Sequence, residues 1–305
     1  THQYNGAEDG YWQQLYQSIF YANTVLDEFA GKTPSAEEKN LFETVRGEAY
    51  ALRAYCYFYL VNLYAENYAT ENLEKTGVPM PLSATDVHQN TQNNVRVVVG
   101  KVWEQIEKDL DEATKDLQGK ESKSKYRFDY IALQAFKARV YLFMNKYEEA
   151  IEAASYVIDA KALFDMNEIQ SYLDGLDKIS NAFSYNYGFI DTDYRNEVLF
   201  FVGGKANNNP YYYYKTRFKP AEELLNLCKR DPNTVDYRRY IFESNADPES
   251  ADYVEQGPTV YRMFATQQSD CYYIGLKLSE AYVTRAEAYV RTGEKDLAIA
   301  DLNRL

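Results

Sequence analysis

The sequence is short of cysteine, histidine and long apolar runs, and each shortage removes a class of function. Cys56, Cys228 and Cys271 lie far apart, and no pair has metal-ligand spacing. Cys56 falls in an apolar helical pattern and reads as core. His2 and His88 are the only histidines, so a Ser-His-Asp arrangement has little to draw on. No glycine-rich phosphate loop is present. No apolar run approaches the roughly 20 residues that cross a bilayer. Basic residues number 33 against 46 acidic ones, a formal net charge of −13. That balance argues against nucleic acid and anionic lipid as direct partners. No signal peptide is visible. The chain opens abruptly at Thr1 and stops inside a helical pattern at Leu305, and truncation at both ends is expected.

What is abundant is tyrosine, 31 against two tryptophans. Tyrosine offers a flat apolar face and a hydroxyl, which suits helix packing and contact with sugars or peptides alike. The rings concentrate in Arg46 to Tyr64, around which the chain is organised. Ala49, Leu52, Cys56, Leu60 and Leu63 recur at helical spacing, and Tyr50, Tyr57 and Tyr64 form a second face. A helix apolar on most sides is buried among other helices. Its text returns later. Glu48-Ala49-Tyr50, Arg53-Ala54 and Tyr57 match Glu280-Ala281-Tyr282, Arg285-Ala286 and Tyr289 at one constant offset. Ala138, Tyr141, Ala150 and Ile151 match Ala286, Tyr289, Ala298 and Ile299 at another. Helix, short turn, helix with small-aromatic pairs is the pattern of tetratricopeptide units, here interrupted rather than in tandem.

The expected fold is therefore all-α: tetratricopeptide-like helix pairs with a loop-rich insertion, in one domain covering 1–305. The helical frame takes 11–158 and 273–305, and the irregular insertion takes 160–270. Helices are predicted over Tyr11 to Phe29, from Ser35 or Ala36 to Tyr64, and over Val95 to Leu117. Phe128 to Met144 and Tyr147 to Ile158 form the second repeat, Gly275 to Arg291 and Lys295 to Leu305 the last. Glu66 to Asn94, with Gly77, Pro79 and Pro81, reads as an extended excursion. Val198 to Val202 is one strand-like run in the insertion, and Pro220 starts a short helix there. Trp12 and Trp103 lie at helical spacing and read as core.

Two chemistries are testable in the insertion. Paired carboxylates hydrolyse glycosides without histidine, and Asp191, Asp193 and Glu197 are the nearest cluster, though 46 acidic residues make some clustering expected. The same cluster fails as a calcium loop, because Arg195 and Asn196 stand where a ligand and a glycine belong. Sugar binding stacks aromatic rings on pyranose faces beside Asn, Asp and Arg groups. Tyr185, Tyr187, Tyr194, Asn208, Asn209, Tyr211, Tyr212 and Arg217 supply those types together. A tetratricopeptide-like scaffold gripping a peptide, and an all-helical glycosidase, are the competing classes.

Arg46-Gly47-Glu48-Ala49-x-x-Leu52-Arg53-Ala54-Tyr55-x-Tyr57-Phe58 resembles a helix of the SusD/RagB family of outer-membrane nutrient-binding lipoproteins. Gly77-Val78-Pro79-x-Pro81, Arg96 with Val102-Trp103-x-x-Ile106-x-x-Asp109-Leu110, Ala138-Arg139-Val140-Tyr141-Leu142, Asp236-x-Arg238 and Leu278-Ser279-Glu280-Ala281-Tyr282 resemble further family segments in the family's order. Lys277 stands where the family commonly has Arg. The resemblance implies non-catalytic capture of a nutrient, most often an oligosaccharide, and its delivery to a TonB-dependent, SusC-like transporter. It implies the outer-membrane cell surface, a lipid anchor on a cysteine outside this chain, and no cofactor or metal. It adds Tyr4 and Asn5, before the first helix, to the ligand residues.

Overall fold

The structure is a computed structural model that describes residues 10–88, 95–163, 197–202, 223 and 275–305. The chain divides into two compact units, 1–162 with 276–305, and 163–275. The first is helical. It holds α1 (Gly10–Phe29), α2 (Lys39–Tyr64), α3 (Ala84–His88), α4 (Val99–Leu117), α5 (Tyr130–Phe143), α6 (Tyr147–Ala160), α7 (Leu278–Thr292) and α8 (Lys295–Arg304). Antiparallel β1 (Thr76–Pro79) and β2 (Arg96–Val98) form a small ribbon. In the second unit, Val198–Phe200 is a strand, β3, with all three residues buried. A two-residue strand, β4 (Leu276–Lys277), leads into α7.

α2 lies at the centre of the first unit, packed on α1 and α4, and the helices then continue as the pairs α5–α6, α6–α7 and α7–α8. Its aromatic text explains the position. Phe58 meets Trp103, Phe136 and Phe143 edge-on, and Tyr55 meets Phe128 and Phe136. Trp103, Tyr57, Phe136, Ile19, Leu60, Ile106 and Leu110 are all fully buried. Such edge-to-face contacts each add about 0.5–1.5 kcal/mol beyond area burial. Leu63, placed by its spacing on the buried face, is 56% exposed in the last turn of α2.

The internal repeats are repeats of interaction. Arg53 forks onto Asp109 of α4, and Arg285 forks in the same way onto Asp301 of α8. Each guanidinium also lies over the matching ring, Tyr50 or Tyr282. Glu48 accepts Arg127, and Glu280 accepts Arg139. The turns match as well. Asn145 and Gly293 occupy equivalent places, and both have positive φ, 57° and 95°. The next N–H reaches back to Tyr141 in one copy and Tyr289 in the other. This closes the helix end through a left-handed residue, for which Gly and Asn carry the smallest penalty.

Several helices start later than the spacing-based reading places them, and α7 begins at Leu278, after β4, rather than at Gly275. Val95 to Val98 precedes α4 as extended chain, because the N–H of Val99 bonds Lys75 and Arg96–Val98 pairs with β1. Regular helix begins at Lys39 rather than Ser35. Ser35 still caps the start: its Oγ accepts the Glu38 N–H at 3.3 Å and donates to the Glu38 carboxylate at 3.0 Å.

Gly47 marks a close approach of α2 and α4. A Cβ there would sit 2.8 Å from Asp116 Cβ and 2.8 Å from Leu117 Cγ. Asp116 cannot retreat, since Arg46 holds both its oxygens at 2.7 Å. Overpacking of this kind costs about 1–3 kcal/mol, against a helix-propensity gain of about 1 kcal/mol for Ala over Gly. Gly47→Ala is therefore expected to lower stability by a net of about 0–2 kcal/mol, read as a lower urea midpoint at unchanged m-value. A gain in stability would show that the helices are free to part.

Candidate functional site

The excursion after α2 is fixed to the frame by side chains that recognise its backbone. Proline gives carbonyls without a competing N–H, so Pro79 and Pro81 act as acceptors. Tyr16 of α1 donates to Pro79 O at 2.7 Å. Asn23 of α1 and Tyr57 of α2 both donate to Pro81 O, at 3.0 and 2.6 Å. Arg53 Nη1 bridges Asn23 Oδ1 at 2.9 Å and Leu82 O at 3.3 Å. The Asp27 carboxylate accepts the Ala84 N–H at the start of α3. Beneath lies the Arg53–Asp109 pair, with side chains 7% and 1% exposed and Gln105 as a third partner. Burial pushes the Tyr16 and Tyr57 hydroxyls well above the ordinary tyrosine range, so both stay neutral donors. Burial likewise lifts the Cys56 thiol to about 12, which leaves it without nucleophilic character at neutral pH.

Beside this seam, at the first turn of α1, is a cluster of rings around one guanidinium. Trp12 packs edge-on against Tyr64 and tilted against Tyr16, each at 4.8 Å. Arg96 of β2 lies over the Trp12 ring, 5.4 Å from its centroid. Its Nη1 donates to Gly77 O at 2.8 Å and Tyr64 O at 3.3 Å. Trp12 is half-buried and Arg96 exposed, with Tyr11 and Val95 exposed nearby in sequence. Spacing alone assigned Trp12 to the core with Trp103. Only Trp103 is fully enclosed, and the signal that separates them is the position of Trp12 in the first turn of its helix.

The ligand residues expected from the sequence, Tyr4, Asn5, Tyr185, Tyr187, Tyr194, Asn208, Asn209, Tyr211, Tyr212 and Arg217, lie outside the described residues. So do Asp191 and Asp193, while Glu197 directly precedes β3. Among the described residues no group of His, Cys, Asp and Glu has the arrangement of a metal site, and no helix is long and apolar enough to cross a membrane.

Interrupted tetratricopeptide-like pairs, with a proline-bearing excursion pinned across the first pair, make up an all-α frame, and solved structures of the SusD superfamily share its fold. A SusD superfamily protein of Bacteroides thetaiotaomicron superposes with a TM-score of 0.70 at 22% identity, over 96% of this chain and 64% of that one. A laminarin-binding SusD-like protein superposes at 0.59 with 19% identity, over 96% and 70%. In sequence, residues 1–142 match the SusD-like family model described as starch-binding associating with outer membrane. SusD-like protein P38 of Formosa agariphila is 30% identical over 147 residues, 48% of this chain and 25% of that protein. Residues 1–142 thus resemble that family in sequence, and the fold is the one that these solved structures share. The chain spans a quarter of the length of that relative and 64% of the Bacteroides thetaiotaomicron structure.

Proposed function

We propose that the protein captures an oligosaccharide at the cell surface, leaves it chemically unchanged, and hands it to a TonB-dependent, SusC-like transporter in the outer membrane. The match of residues 1–142 to a family described as starch-binding and outer-membrane-associated carries this reading. A laminarin-binding structural neighbour supports it. A lipid anchor on a preceding cysteine is the proposed attachment. The proposed ligand residues are Tyr4 and Asn5 and, in the insertion, Tyr185, Tyr187, Tyr194, Asn208, Asn209, Tyr211, Tyr212 and Arg217, of the types whose rings stack on sugar faces and whose amide and guanidinium groups bond hydroxyls. A peptide-gripping scaffold finds less support. The chain's own Pro79 to Leu82 takes the side-chain donors of α1 and α2 that would otherwise read a peptide backbone.

Affinity gels against soluble polysaccharides, with reducing ends assayed in parallel, test this reading. At least one polymer is expected to retard the protein without release of reducing ends. Tyr211→Ala and Tyr4→Ala are expected to weaken that retardation, each lost stacking contact removing about 1 kcal/mol or more, several-fold in affinity. Release of reducing ends would overturn non-catalytic capture.

A further inference from the structure

We infer that Arg96, with the rings around Trp12, forms a subsite for the carboxylate of a uronic acid residue within an oligosaccharide; this rests on the capture reading above. The frame itself supplies the comparison. Arg46, Arg53, Arg127, Arg139 and Arg285 each turn the same edge, Nε with Nη2, onto a carboxylate. Both carboxylate oxygens are engaged in the pairs with Asp116, Asp109, Glu48, Glu280 and Asp301. That planar edge matches a carboxylate in spacing and direction, which an ammonium group does not.

Arg96 departs from this pattern. Its Nη1 is committed to the carbonyls of Gly77 and Tyr64, and its plane is held over the Trp12 ring. The Nε–Nη2 edge bonds no carboxylate among the described residues, although the protein carries 46 acidic side chains. The guanidinium is exposed but not loose, since two carbonyls and an indole fix its orientation. An oriented, unspent fork costs little ordering when a ligand carboxylate arrives. Trp12, and through it Tyr64, border it with the aromatic surface that suits the C–H face of a pyranose. The net charge of −13 opposes a dense polyanion. The fitting ligand therefore carries isolated uronates in an otherwise neutral chain.

The test pairs each acidic polymer with its own carboxyl-reduced form, which keeps linkage and length and removes only the charge. Glucuronoxylan, pectin and alginate are titrated by affinity gel and by tryptophan fluorescence, to which Trp12 is the half-exposed contributor. Wild-type protein is expected to prefer at least one native polymer over its reduced form by about tenfold or more, with the sparsely charged glucuronoxylan favoured over alginate. Arg96→Gln should abolish the preference and bind both forms alike. Arg96→Lys, which keeps the charge and loses the fork, should retain only part of it. Both variants are compared with wild type below their unfolding midpoints, because Arg96 also ties β1 to α2. A preference that survives in Arg96→Gln overturns the inference. Retention of neutral polymers alone overturns it and leaves capture standing. Retention of no polymer overturns both, and displacement by a glutamate peptide but by no uronate overturns the sugar assignment.

Discussion

Arg53→Ala is expected to destabilise the protein by about 3–5 kcal/mol, the range for removing one partner of a buried ion pair. Asp109 is fully buried and would keep Gln105 as its remaining partner. The loss also frees Asn23 Oδ1 and Leu82 O, so the excursion loses part of its anchor. The measurement is a urea or guanidinium midpoint at unchanged m-value. A paired replacement discriminates the cause. In Arg53→Met with Asp109→Leu no charge remains buried, and swaps of that type are often neutral or stabilising by about 1–4 kcal/mol. The double variant is therefore expected to be more stable than Arg53→Ala. If it is equally unstable, the pair acts through its shape and its bonds to the excursion rather than through a stranded charge.

The same variant has a signed pH dependence. Burial already pushes the Asp109 carboxyl up against the opposing hydrogen bond and charge of Arg53, and removing Arg53 pushes it up further. A carboxyl raised above its unfolded value favours folding when protonated and loses that contribution as pH rises through the folded value. The gap between Arg53→Ala and wild type should thus be smallest in acid below the ordinary aspartate range and widen as pH rises through the raised folded value toward neutrality. A gap that narrows as pH rises would contradict a stranded carboxylate.

Which features were legible in the sequence follows from range. Helices rest on local spacing, so α1, α2 and the α5–α6 and α7–α8 pairs were readable, as was the short turn within each of those pairs, though not its left-handed residue at Asn145 and Gly293. Arg96 to Val98 was misread as helix because its partner, Thr76 to Pro79, is remote in sequence and a short run has no period of its own. The ion pairs lay beyond reach for a similar reason. Nothing local says that Arg46 meets Asp116 or that Arg139 meets Glu280, although the repeated Glu48/Glu280 and Arg53/Arg285 hinted at equivalent partners. The exposed, unspent edge of Arg96 is a property of what surrounds it and has no sequence signature. The insertion residues proposed for sugar were chosen by residue type in loops, where spacing fixes no geometry, and they lie outside the described residues.

Trp103→Ala is expected to cost about 3–5 kcal/mol, the range for removing a buried aromatic side chain. Trp103 is 1% exposed and contacts Phe58 and Tyr68 edge-on, with centroids at 5.8 and 5.3 Å. Trp103→Phe separates its two contributions. The indole Nε1 is buried and has no hydrogen-bond partner among the described residues. An unsatisfied buried donor costs about 1–3 kcal/mol, and phenylalanine removes it. The smaller ring leaves a cavity that works in the opposite direction. The two should largely offset, so Trp103→Phe is expected within about 1.5 kcal/mol of wild type by the same midpoint measurement. A loss close to that of alanine would mean that Nε1 is satisfied in solution, by water or by the neighbouring π faces, and that the indole is chosen for its nitrogen. The variant also serves the ligand question. With Trp103 replaced, Trp12 is the sole remaining indole, and any fluorescence change on adding a uronate oligosaccharide then originates beside Arg96.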